Sequence, residues 1–121
     1  MPSRAVLDAF VARVLSNDHV GAIEDFYAED ASIQENQNPP RVGRHVLIAG
    51  ERAMLARHKR VHTHIVGAPL VDGDVVMINW VFEFTRPDDS VMRIEEIARQ
   101  EWRGDKIARE RFFYDPKQMS R

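Results

Sequence analysis

The chain has 121 residues, 44% hydrophobic and 30% charged, with a net charge of −2 and no cysteine. That is the balance of one ordinary globular domain, residues 1–121, and it excludes disulfides, thiolate nucleophiles and cysteine–zinc sites. Acids and bases are interspersed, which argues against a nucleic-acid partner, because phosphate binding needs a net basic face.

Pro2 and Ser3 start a helix predicted over residues 3–16, with Val6, Leu7, Phe10, Val11, Val14 and Leu15 on one stripe. This opening is amphipathic, unlike a secretory leader, and no stretch is long enough to span a membrane, so a cytoplasmic location is expected. Asp18 can cap a second helix over 19–28 that turns Val20, Ile23, Phe26 and Tyr27 inward. Residues 30–36 read as a strand with Ala31, Ile33 and Glu35 on one face and Ser32, Gln34 and Asn36 on the other. After the Asn38-Pro39-Pro40 loop, Gly43 precedes a third helix over 44–60, whose apolar face is Leu47, Met54 and Leu55. Its basic end, Arg57-His58-Lys59-Arg60, suits the helix dipole. The remainder is β: a strand over 61–71, the Asp72-Gly73 turn, a strand over 74–86, a turn at Pro87-Asp88-Asp89, a strand over 91–102, the Gly104-Asp105 turn and a strand over 106–114.

Alternation then assigns the faces. On 74–86, Ile78, Trp80, Phe82 and Phe84 form the bulkier, fully apolar set and are placed inside. Turning about Asp88 sets Phe84 opposite Met92, Phe82 opposite Ile94 and Trp80 opposite Glu96. The next hairpin is expected to set Gln100 near Ala108, Ala98 near Glu110 and Glu96 near Phe112. Glu96, Gln100 and Glu110 thus lie among Trp80, Phe82, Phe112 and Tyr114. Buried polar groups need partners, water or a ligand. Neighbouring carboxyls in apolar surroundings push at least one pKa upward, which is how a general acid or base for neutral pH is made. The outer face alternates Arg93, Glu95, Arg99 and Glu101 with Met77, Val81, Ile97 and Phe113, a half-apolar surface expected to form a homodimer.

His62 and His64 share one strand face, and counting back from Asp72-Gly73 turns them outward, with Val61, Thr63 and Ile65 inward. No metal site is expected on that count. No cofactor is expected either: Gly67, Gly73 and Gly104 are isolated, and no serine sits in a nucleophile elbow.

The order helix, short helix, strand, helix and four-stranded meander resembles the nuclear transport factor 2-like superfamily, within it the SnoaL-like and ketosteroid isomerase-like branch. The resemblance is carried by Ser16-Asn17-Asp18 through Phe26-Tyr27-Ala28-Glu29-Asp30-Ala31, by Gly43-Arg44, by Val71-Asp72-Gly73-Asp74, by Gly104-Asp105-Lys106-Ile107 and by Phe113-Tyr114-Asp115-Pro116. It implies an α+β, cone-shaped fold, with a curved antiparallel sheet packed on three N-terminal helices around a pocket for a small apolar or amphipathic molecule. It also implies a general base at Glu35, the position of the branch's catalytic aspartate. The branch's two oxyanion donors fall on Phe10 and Ala98, neither of which donates a side-chain hydrogen bond. The resulting expectation is acid–base chemistry (isomerase, cyclase or (de)hydratase) with Glu35 taking a proton and Glu96 or Glu110 giving one. Gln100 and Tyr114 would orient the ligand, and Phe10, Tyr27, Trp80, Phe82 and Phe112 would wall the pocket. The alternative is a non-catalytic binding or dimeric scaffold domain.

Overall fold

The computed structural model describes residues 1–120. Helix α1 (Arg4–Leu15) begins where the Ser3 hydroxyl accepts from the Val6 N–H at 3.2 Å, satisfying a donor the first turn leaves unpaired. It buries Leu7, Phe10 and Val14, while Leu15 is exposed, so the apolar stripe is narrower than the sequence implies. Asp18 caps α2 (His19–Phe26) by accepting from the Gly21 N–H. This helix stops two residues short of the predicted end, because Tyr27 is already extended and opens β1 (Tyr27–Glu35). The inward face of α2 is His19, Ala22 and Ile23.

A short strand, β2 (Arg41–Val42), pairs with β1 and has no counterpart in the sequence reading. Gly43, at φ +104°, turns the chain into α3 (Arg44–Ala56), a conformation most side chains resist. The predicted helix over 44–60 ends early, since Arg60 already belongs to β3 (Arg60–Ile65). The predicted strand over 61–71 is two strands, β3 and β4 (Leu70–Asp72), both paired to β5 (Val75–Thr85). The sheet closes with β6 (Val91–Arg103) and β7 (Lys106–Phe113), and a 3-10 turn, η1 (Pro116–Met119), folds back. Gln118 on that turn bonds both the N–H and the carbonyl of Glu95, capping β6 where β7 has run out.

Strand order is β2-β1-β7-β6-β5-β3, in one curved, unclosed sheet. Every pairing is antiparallel except β1 with β7, which is parallel, so the sheet is mixed. A hairpin forces antiparallel neighbours; β1 and β7 are joined only through α3 and the meander, so nothing local imposes that direction. Between β5 and β6 the register is the expected one, with Trp80 opposite Glu96. Between β6 and β7 it differs by two residues: Gln100 faces Glu110 and Ala98 faces Phe112. A tight turn pairs Arg103 with Lys106, and pairing then jumps from Trp102–Ile107 to Glu101–Arg109, leaving Ala108 as an extra residue. Such a bulge reverses side-chain parity once. Ile107 rather than Ala108 is therefore fully buried, while Glu110 stays on the inner face.

The core lies between α1, α2 and the inner face of the sheet. Phe10 is its aromatic centre, edge-on to Trp102 at 5.7 Å and to Phe26 at 5.5 Å. A smaller cluster of Phe84, Met92 and Ile94 sits against Met54 and Leu55 of α3. Because Ile107 is fully buried opposite Trp102, Ile107→Ala is expected to cost about 2–5 kcal/mol; Ala108→Gly is expected to cost less. Urea unfolding of the two variants checks this, and a larger loss at Ala108 would overturn the bulge.

Candidate functional site

A cavity of about 270 Å³ opens between the inner sheet face and the helices. Its floor is a string of hydrogen bonds crossing three strands. The Trp102 indole N–H donates to Gln100 Oε1 at 3.0 Å, the Gln100 amide donates to Glu110 Oε2 at 2.7 Å, and the Tyr27 hydroxyl donates to Glu110 Oε1. Glu110 is 3% exposed. Burial pushes its pKa up from the ordinary 4.5 to about 7, against the two hydrogen bonds that favour the charged form. Burial, then the Glu110 charge, drives the Tyr27 phenol well above 10.

Glu96 projects into the same cavity. It makes no hydrogen bond among the described residues. Burial first, then the charges of Glu110, Glu35 and Glu51, raise its pKa to about 8. At pH 7 it is therefore mostly in the acid form, with a proton to give and no acceptor for it among the described residues.

The mouth is more polar. Glu35, at the end of β1, accepts from the Tyr114 hydroxyl at 3.2 Å and lies 3.9 Å from Arg41. Tyr114 is held in place by Asn36, whose side-chain oxygen accepts the Tyr114 N–H at 3.0 Å. Burial and the adjacent Glu35 push the Tyr114 phenol to about 12. Arg57 also lines the cavity.

On the helix wall His19, 8% exposed, spans Thr63 and Glu51: Nε2 is 2.8 Å from the Thr63 hydroxyl and Nδ1 is 3.2 Å from Glu51. The tautomer protonated at Nδ1 satisfies both, donating to Glu51 and accepting from Thr63.

Nine of the ten residues singled out from sequence line this cavity: Glu35, Glu96, Glu110, Phe10, Tyr27, Trp80, Phe82, Phe112 and Tyr114. Gln100 does not. It is fully buried, and both ends of its amide are used by Glu110 and Trp102, so it supports Glu110 from behind instead of meeting a ligand. Ala98 is fully buried, and Phe10 packs against Tyr27 and Trp102; the phenol lining this pocket floor comes from the start of β1. His19, Glu51, Arg41 and Arg57 also line the cavity without having been read from sequence. Glu51 had a legible signal: it stands four residues after Leu47 and three before Met54, on the same helical stripe.

The SnoaL-like domain family matches residues 7–110. The chain belongs to that family. No curated protein matches the sequence. Among solved structures, a protein from Mesorhizobium loti described as a SnoaL-like polyketide cyclase shares 21% identity and a TM-score of 0.76, covering 91% of this chain and 97% of its own. A Catenulispora acidiphila protein with a ketosteroid isomerase-like fold, in complex with trimethylamine, shares 17% identity with a TM-score of 0.78, over 96% and 89% of the two chains. TerC, co-crystallised with polyporic acid, shares 13% identity with a TM-score of 0.76, over 92% and 89%. At these identities the likeness establishes the cone fold of the nuclear transport factor 2-like superfamily.

The two raised carboxyls make this SnoaL-like domain's stability depend on pH. A carboxyl with folded pKa above its unfolded value binds more protons in the folded state. Its stabilising contribution is complete below about pH 4.5 and is lost as pH rises through about 8 for Glu96. Glu96→Gln is expected to be within about 1 kcal/mol of the parent at pH 5 and more stable by a few kcal/mol at pH 9. Urea unfolding at both values measures this; an equal effect at both would contradict the raised pKa.

Proposed function

We propose that the protein is a cofactor-independent acid–base catalyst of the isomerase, cyclase or (de)hydratase kind, acting on a small, largely apolar molecule that bears a carbonyl or hydroxyl group. The observation that carries this reading is the Glu96 carboxyl, half-buried in the cavity, its pKa raised to about 8, and without a hydrogen-bond partner among the described residues. Such a group donates to a ligand oxygen and stabilises the charge that develops there. Glu110 is the weaker candidate for the donor, because both its oxygens already accept protein hydrogen bonds. Its part is to raise the Glu96 pKa by its charge.

Glu35 is the proton acceptor in this scheme. Proton removal at a carbon next to a carbonyl leaves an enolate, whose oxygen takes the Glu96 proton; returning a proton to a different carbon gives an isomer, and attack on a second carbonyl gives a ring. Trp80, Phe82 and Phe112 shield these steps from water. Arg41 and Arg57 at the mouth suit a polar or anionic end on an otherwise apolar ligand. The polyketide-cyclase description of the Mesorhizobium loti relative agrees with such a ligand.

The compound 5-nitrobenzisoxazole, an apolar probe that opens with a colour change when a base removes its ring proton, tests the scheme. Glu35→Gln should lower the rate at least about tenfold while probe binding survives, and the rate is expected to fall as pH rises through about 8, where Glu96 loses the proton it gives to the leaving oxygen. Glu96→Ala should lower the rate at pH 6, where Glu96 is protonated, and remove that pH dependence. Binding of the probe with no elimination at any pH would sink catalysis and support the non-catalytic binding module.

A further inference from the structure

The outer face of the sheet carries a second cluster, unconnected with the cavity. His62 and His64 stand two apart on β3, so their imidazoles leave the same face of the strand. Their ring centroids are 4.2 Å apart. Strand pairing adds a third group that is remote in sequence: Glu83 on β5 is directly opposite His62. Its Oε1 lies 2.6 Å from His64 Nε2. One ligand atom from each of His62, His64 and Glu83 falls within 4.8 Å of the other two.

From this arrangement we infer a binding site for a divalent transition-metal ion, zinc in the first instance, formed by His62, His64 and Glu83. Two imidazoles and one carboxylate are the donor set of three-ligand zinc sites. Two nitrogen donors out of three disfavour magnesium and calcium, which take oxygen ligands. The distances suit the ion. Tetrahedral ligands about 2.0–2.1 Å from zinc stand roughly 3.3 Å from each other. Replacing the proton shared by His64 and Glu83 with zinc therefore opens that contact by under about 1 Å, a change that side-chain rotation absorbs on a surface where both groups are more than a third exposed. The cluster is partly organised already, because Glu83 holds its carboxyl toward β3. Arg93 is its neighbour on the opposite side, from β6, yet no ion pair joins Arg93 to Glu83 among the described residues. The bland role of the pair, a cross-strand hydrogen bond tying an edge strand to the sheet, needs only His64. It leaves His62 tilted against His64, with no hydrogen-bond acceptor of its own among the described residues.

The test titrates the tag-free, EDTA-stripped full chain with zinc chloride by calorimetry and with cobalt chloride by visible absorption. One zinc per chain at micromolar affinity is expected, together with an intense cobalt d–d band and a higher melting temperature on adding zinc. His62→Ala, His64→Ala and Glu83→Gln should each weaken zinc binding at least about tenfold, whereas His45→Ala, an exposed histidine on α3, should leave it unchanged. The site is refuted by an absence of saturable one-to-one binding. It is equally refuted by zinc binding that survives the His62→Ala, His64→Ala double variant.

Discussion

A carboxyl group that is almost completely removed from water sets the terms for this protein. Glu110 sits where β1, β6 and β7 run side by side, opposite Ile33 on one flank and Gln100 on the other. A charge or an acid in that position must be given donors. Tyr27 supplies one from the first residue of β1 and Gln100 supplies the second, itself fixed by Trp102. Tyr27 and Trp102 also pack on Phe10 of α1. The polar string therefore also aligns the parallel β1–β7 pair, where no hairpin imposes a register. Removing either donor would leave Glu110 buried and under-satisfied, a cost larger than one hydrogen bond is worth.

That constraint shapes the chemistry next to it. Glu110 raises the pKa of Glu96, whose carboxyl lines the cavity without a hydrogen bond among the described residues. The cone is thereby divided into a floor of carboxyls that hold protons near neutrality and a mouth where Arg41, Arg57, Glu35 and Tyr114 gather. Where the resemblance to ketosteroid isomerase-like enzymes implies hydrogen-bond donors, this chain has Phe10 and Ala98, both buried in packing. A protonated Glu96 restores a donor from a different place on the same sheet face. Family membership fixes the cone and leaves its chemistry to such substitutions.

Alternation along β3 gives a single strand two faces with different partners. Thr63 turns inward and bonds His19, which helps hold α2 and α3 over the cavity through Glu51. His62 and His64 turn outward and meet Glu83. The outward cluster lies on the face that also exposes Met77 and Phe113 between ordered charges.

Much of this was legible in the residues alone. The period of two along β5 and β6, with a short turn at Pro87-Asp88-Asp89, was enough to set Trp80 against Glu96 and to turn Glu96 inward, because alternation and hairpin closure are local properties of the chain. Helix stripes and the Asp18 cap located α1 and α2 for the same reason. What the tertiary structure decided was everything that depends on a partner distant in sequence. The tight Arg103–Lys106 turn and the Ala108 bulge each moved the β6–β7 register by one residue and put Ile107, not Ala108, in the core, since a bulge is settled by packing across the sheet. The parallel β1–β7 pair brought Tyr27 onto Glu110 across 83 residues, while bonds to Glu110 and Trp102 keep Gln100 out of the cavity. His62 and His64 could be placed on the outer face by counting, but their carboxyl neighbour could not be. Glu83 joins them only because β3 and β5 pair in one register, and a histidine pair becomes a three-ligand cluster only in three dimensions.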